Sequence, residues 1–476
     1  MRPPFLLALL CAAPLAAQTV PPSPGDSALI YRILTAEDHR NAGDSALAQG
    51  MASADARIHA LAARALARIA DSTYAARRDG PVYAPRVTWP LPEWRPRLDS
   101  LVAAKDDCAH LERALGDSAW QVRFRAADVL GPSCAGDAAI RDTLLTWIAR
   151  LPADWSHHAA GVPSWQPAAH AVRALARTRP AESIPTIRGL AGHPAWGVRL
   201  YTARAAGIAA DTATLRRLAV DRDDNVKEAA ITALSALTGH ADDALYRKAL
   251  NSSGAQAVRV AALALKGGSD PEDARVLDRA LRRWLRRPND SERDARLALL
   301  DAAGRPASDD RAWNPPEPLP GVVVPLALGA EWRLTVTMSP QVGGGSFVVR
   351  LRGDVAPITA ARILALAARR YYDGLVWQRV IPDFVIQGGG PGANEYIGYT
   401  HFFRDELGTV SHLRGGVGMS TRGHDTGDGQ WFFDVADEAR LDPLYTLFGE
   451  VVEGMDVVDR IMEGDRIASI RMEETF

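Results

Sequence analysis

The sequence predicts two folded regions of different class: an all-α solenoid of stacked helical hairpins, then a closed β-barrel capped by two helices. Three observations lead there. From about Asp26 to Gly304, Ala, Leu and Arg recur at helical spacing, as in ARIHALAARALARIA. Residues 305–330 concentrate proline and small polar residues. After Glu331, short alternating apolar runs are separated by glycine-rich turns. A chain of 476 residues also exceeds what one ordinary core can organise.

Taken in order, residues 1–18 (MRPPFLLALLCAAPLAAQ) combine a cationic start, an apolar centre and a small-residue end, the pattern of a signal peptide. The expectation is an exported protein, periplasmic or secreted, whose mature chain begins near Gln18 or Thr19. No later apolar run reaches the roughly 18 residues needed to span a bilayer, so no transmembrane segment is expected. Hydrophobic residues make up 47% and charged residues 24%, with 55 Lys+Arg against 57 Asp+Glu and a net charge of −2. That balance offers nothing to attract nucleic acid or an anionic membrane.

Residues 26–304 contain a recurring phrase, a small or acidic turn, a Val-Arg-like pair and an Ala-rich helix. It reads SAWQVRFRAADVLG at 118–131, PAWGVRLYTARAAG at 194–207, DDNVKEAAITALSALTG at 223–239 and GAQAVRVAALALKGG at 254–268. Val198, Val226 and Val258 lie about 30 residues apart, a period that signals stacked helical hairpins. The phrase resembles short HEAT-like repeats, which present extended surfaces for clients or partners and rarely carry chemistry. Cys108 and Cys134, the cysteines left after signal removal, stand near the start of one expected helix and just after the end of the next. Those ends meet in an antiparallel hairpin, so an oxidising compartment should join them as a disulfide.

Residues 305–330 read as an extended, semi-rigid linker. Beyond it, 332–338 and 346–351 form an expected hairpin. A helix follows over 357–370, then strands at 375–380, 384–388, 416–420, 431–434 and 447–452. A second helix at 455–463 precedes a last strand at 467–472.

The run YYDGLVWQRVIPDFVIQGGGP at 371–391 closely resembles the signature of cyclophilin-type peptidyl-prolyl cis/trans isomerases, in which an Arg, an Ile-Pro, a Phe and a Gln-Gly-Gly follow in that order. The resemblance extends upstream through DVAPITAARILALAARRYYDG and downstream through WFFDVADEARLDPLYTLFGEVVEGMDVVDRI, covering the whole domain 331–476. It implies that Arg379 is the catalytic arginine and Gln387 its hydrogen-bonding glutamine. Phe384, Phe433 and Leu441 should line the proline pocket. Val385 stands where the family often has Met, and Tyr445 where it often has His. Thr421 and Arg422 replace the Ala-Asn that commonly faces the substrate backbone. Trp431 is read as replacing a Gln before the Phe-Phe pair, where it would reshape the pocket rim.

These residue types suit the reaction. Rotation about X-Pro must break amide resonance, with a barrier near 20 kcal/mol, but cleaves no bond. It requires no nucleophile, metal or cofactor, only an apolar cup for the ring and a fixed donor for the prolyl nitrogen as its lone pair localises. The expected partners are proline-containing polypeptide clients, with a further protein on the helical surface. The alternative is a scaffold that binds proline segments without turnover. FVIQGGGPG is set aside as a dinucleotide loop because no helix follows it. His157 and His158 are set aside as metal ligands, and His424, Asp425 and Asp428 are read as a polar turn.

Overall fold

The computed structural model describes residues 22–475 except 71–84, 152–163, 311–313, 315–316, 340–343 and 409. The expected signal segment 1–18 and the His157–His158 pair lie outside the described residues. Among the described residues, sixteen α-helices run from Pro24 to Ala302, followed by a mostly β region.

The strands are β1 (Glu331–Met338), β2 (Ser346–Leu351), β3 (Trp377–Val380), β4 (Val385–Gly388), β5 (Gly416–Met419), β6 (Trp431–Asp434), β7 (Leu447–Glu453) and β8 (Ile467–Thr475). They form one eight-stranded sheet in the order β3-β4-β6-β5-β7-β2-β1-β8, antiparallel in every pairing. In β1, Leu334, Val336 and Met338 are buried while their neighbours are less so, the period-two pattern of a strand with one core face. The sheet curls until its outer strands meet. That seam is a single bridge, Val376 to Arg466, with the Trp377 amide donating to the Asp465 carbonyl and the Ile467 amide to the Leu375 carbonyl, each at 2.9 Å. It falls short of the full ladder expected of a closed barrel.

Asp465 at this seam is buried and accepts the Met462 amide at 2.8 Å. Burial pushes its carboxyl up to about 7, the single hydrogen bond opposing this only in part. Of the two expected caps, the first is the helix Pro357–Ala368 and the second is a single turn, Met455–Val458. The second stops short of 463, and the chain then turns at Gly464, whose φ of 91° lies in the left-handed region.

In the helical region, Gln166–Thr178, Trp196–Ile208, Asp224–Thr238, Ala255–Leu265 and Arg293–Ala302 pack side by side in chain order, with the helices between them forming an outer row. Arg199 pairs with Asp221, and Arg247 with Asp270 and Asp273, across successive units. Cys108, at the start of the helix Cys108–Leu115, and Cys134, in the turn after Trp120–Val129, are joined as a disulfide with Cα atoms 5.5 Å apart.

The core does not divide where the sequence changes texture. Ile30, Ile33, Leu34 and Leu61 of the first three helices join one apolar cluster with Leu334, Phe347, Ile363 and Phe448 of the β region. The stretch expected to be an extended linker contributes Leu319, Val323 and Leu326 to that cluster and includes a short helix, Val323–Ala327. Its apolar run is drawn onto the helix Pro357–Ala368, because leaving several large side chains in water costs about 1.5–3 kcal/mol each.

Buried ion pairs reinforce this contact. Arg68 donates to Glu37 Oε1 at 2.7 Å, to the Val355 carbonyl at 2.7 Å and to the Glu406 carbonyl at 3.2 Å. Glu406 caps the helix Pro357–Ala368 by accepting the Ile358 and Thr359 amides. Asp38 pairs with Arg362 at 2.6 Å. Burial works against the Glu37 carboxylate, but Arg64 and Arg68 overcome it and hold it at about 2.

Candidate functional site

The site begins in the turn between β3 and β4. Pro382 and its neighbours fold back so that the Phe384 amide donates to the Ile381 carbonyl and the Ile381 amide to the Val385 carbonyl, each at 2.9 Å. Register then places Arg379 opposite Gln387. Trp377 turns inward and is fully buried, whereas Arg379 stays half-buried on the outer face, its guanidinium 5.6 Å from the centre of the Phe384 ring. Arg379 Nη1 donates to Gln387 Oε1 at 3.4 Å, Gln387 Nε2 donates to Ser420 Oγ at 2.9 Å, and Gln378 Nε2 donates to Gln430 Oε1 at 2.7 Å.

Beside this polar row, Val385, Phe432 and Leu441 form an apolar cluster separate from the main core, with Phe384 and Tyr445 packed against it. The cavity they enclose measures about 80 Å³ and has Ser420, Thr421 and Arg422 on its polar side. Tyr445 meets the Phe432 ring edge-on at 5.4 Å, and Arg440 lies 4.5 Å over Phe384 at the rim. The Arg422 guanidinium is tied to Asp294 Oδ2 at 2.5 Å, Asp428 Oδ2 at 2.8 Å and the Glu395 carbonyl at 2.6 Å. In the glycine-rich loop, Asp425 pairs with Arg40 and His424 contacts Asp405.

The structure corrects two expectations. Phe433 was expected to line the pocket, yet it is fully buried in the main core, edge-on to Phe347 and Trp377. Trp431 was expected at the rim, yet it is fully buried and stacked on Tyr372. The register explains both. Gln387, Phe432 and Gly418 stand opposite one another on adjacent strands, as do Ile386, Phe433 and Val417, and alternate residues of a strand face opposite sides. Phe432 therefore takes the wall position, and Gln430 is the glutamine that joins the polar row. Gly418 leaves the room for this, since a Cβ there would run into the Phe432 ring.

The sequence reading also missed His412. Its ring is fully buried and stacks on Phe432 at 5.5 Å, with Nδ1 2.9 Å from Asp434 Oδ2 and Nε2 3.2 Å from the Tyr445 carbonyl. Burial disfavours its charge, but Asp434 and the two hydrogen bonds outweigh that and raise its pKa. Burial lifts Asp434 to about 6, the histidine opposing. His412 thereby braces two pocket residues from behind. Its only signal in the sequence is a polar residue just ahead of a glycine-rich strand, too common a pattern to single out.

Residues 335–475 match the family described as cyclophilin type peptidyl-prolyl cis-trans isomerase. A peptidyl-prolyl cis-trans isomerase of Helicobacter pylori is 35% identical over 144 residues, covering 29% of this chain and 88% of that protein. The isomerase ppi1 of Schizosaccharomyces pombe is 37% identical over 126 residues, covering 25% and 81%. The crystal structure of a cyclophilin-type isomerase from Cryptosporidium parvum aligns at 21% identity over 31% of this chain and 99% of its own, with a TM-score of 0.29. The chain belongs to the cyclophilin-type peptidyl-prolyl cis-trans isomerase family, through its C-terminal third.

Proposed function

We propose that this chain is an exported prolyl isomerase whose pocket around Arg379 turns over X-Pro bonds of exported polypeptides, with the helical region binding the client or a partner. The observation that carries the reading is Arg379, beside Gln387, at the edge of an apolar cup just large enough for a small ring. The proline ring settles on Phe384, Val385, Phe432, Leu441 and Tyr445. Arg379, held by Gln387, donates to the prolyl nitrogen as the peptide bond twists and its lone pair localises. Because guanidinium keeps its charge throughout the physiological range, no proton has to be supplied first. Thr421 and Arg422 flank the substrate backbone, with Arg422 fixed by its acidic partners.

Export is supported by the character of residues 1–18 and by the disulfide. The two rows of helices, with Arg–Asp pairs between successive units, support a HEAT-like solenoid over 26–304, and the seam between β3 and β8 supports a barrel over 331–476. The test is isomerisation of a proline peptide followed by protease-coupled assay. Arg379→Ala should lower kcat/KM by about 10²–10³-fold, the cost of removing one preorganised donor. Peptide binding by the wild type without turnover would replace this reading with that of a proline-binding scaffold.

A further inference from the structure

Beyond Arg379 the proline pocket adjoins a far larger space. A groove of about 970 Å³ has Arg379 and Val380 of β3 and the following Ile381 on one side and three helices, Gln166–Thr178, Trp196–Ile208 and Asp224–Thr238, on the other. Arg379 and Glu395 line both spaces, so the two adjoin.

The walls are fastened to each other at both ends. Asn394 Nδ2 donates to Asn225 Oδ1 at 2.8 Å, and Asn225 Nδ2 donates to the Gly392 carbonyl at 3.0 Å. At the other end the Tyr201 hydroxyl donates to Glu463 Oε2 at 2.6 Å, and Gln166 Nε2 donates to the Glu463 carbonyl at 2.7 Å. The width of the groove is thus set by the fold.

The helical wall carries an apolar stripe beside the charged Arg173, Arg204 and Glu228. Ala229, Ala233 and Leu237 follow at intervals of four on one face of Asp224–Thr238. Leu237 is 44% exposed and Ile208, on the neighbouring helix, 40% exposed. The alanines leave the space open and the two larger side chains border it.

We propose that this groove is the path of the polypeptide that flanks the proline, so that the substrate is an extended, unfolded segment with apolar side chains beside its X-Pro bond. The proposal rests on the isomerase reading of the pocket and adds the helical wall as its specificity-determining surface. Adjacency to the pocket selects the occupant, since a chain whose proline sits on Phe432 and that runs on past Arg379 enters the groove.

The experiment compares kcat/KM of the full chain for a short proline peptide and for one of about twelve residues with the same X-Pro bond and apolar flanks, long enough to reach along the groove. The wild type should prefer the longer peptide by about tenfold, the worth of partly burying one or two apolar side chains. Ala236→Trp, which fills the groove from an exposed position, and Leu237→Asp, which removes its apolar border, should each reduce that preference at least severalfold. Thermal melts of both variants check that the fold is kept. Equal kcat/KM for the two peptides, or a preference unmoved by both variants, overturns the groove. So does loss of the preference on concentration-dependent self-association, which would give the groove to a second copy. Absence of turnover for either peptide in the wild type overturns the isomerase reading instead.

Discussion

At the scale of single residues, adjacent phenylalanines have opposite fates. Phe432 forms the pocket wall and Phe433 fills the core. Phe433→Ala should destabilise the protein by about 3–5 kcal/mol, the usual cost of emptying a buried aromatic site, read from urea unfolding. Phe432→Ala should cost less stability and abolish most proline turnover. If the two variants exchanged these effects, β6 would have to be paired one residue out of register. The motif around Arg379 was legible in the sequence because Ile381, Pro382, Phe384 and Gln387 are spaced as a unit. The Phe-Phe pair was not, since nothing local says which ring faces inward, and a one-residue error turns the whole set over.

Asp465 gives a second residue-scale test. Its carboxyl sits at about 7 in the fold against an ordinary value of 3.8. The native state therefore keeps a proton that the unfolded chain releases, and stability falls as pH rises from about 4 to about 7. Asp465→Asn keeps an acceptor for the Met462 amide without the charge. It should leave stability at pH 4 nearly unchanged and raise it at pH 8 by on the order of 2–4 kcal/mol, measured by denaturant titration at both values. An equal effect at the two pH values would show that the carboxyl is not protonated in the fold.

At the scale of elements, the eight strands were readable from alternation and turns, and all eight exist within a few residues of where alternation places them. What alternation could not show is how the helix Pro357–Ala368 is used. Nearly all its residues are buried, Arg362 included, because the helix Val323–Ala327 packs on it and Asp38 of the first helix pairs with Arg362. The joint is the buried cluster of Glu37, Arg64, Arg68 and Glu406. Arg68→Met keeps much of the side-chain volume but takes away the cation paired with Glu406 and one of the two paired with Glu37. It should cost about 3–5 kcal/mol of unfolding free energy. A loss below about 1 kcal/mol would mean that the cluster is reached by water and carries little of the docking.

At the scale of the whole molecule, composition separates a helical region from a β region, and the family match covers only the second. Their mutual arrangement could not be read from the sequence, because it rests on a shared apolar cluster and on polar contacts between residues far apart in the chain, such as Asn225 with Asn394 and Arg422 with Asp294. No periodicity encodes such pairs. They decide whether the active pocket faces open solvent or a second wall.

The docking of the first helices on the last domain has a consequence in time. Asp38 and Arg362 are 324 positions apart, and Arg68 and Glu406 are 338. A ribosome releases the earlier member of each pair long before the later one exists. The opening helices then lack their apolar partner, and Asp38 its counter-charge, and lone short helices are marginal in water. The shared core can close only after the C-terminal strands have emerged, so the first helices must wait for the last domain before they can bury their apolar face.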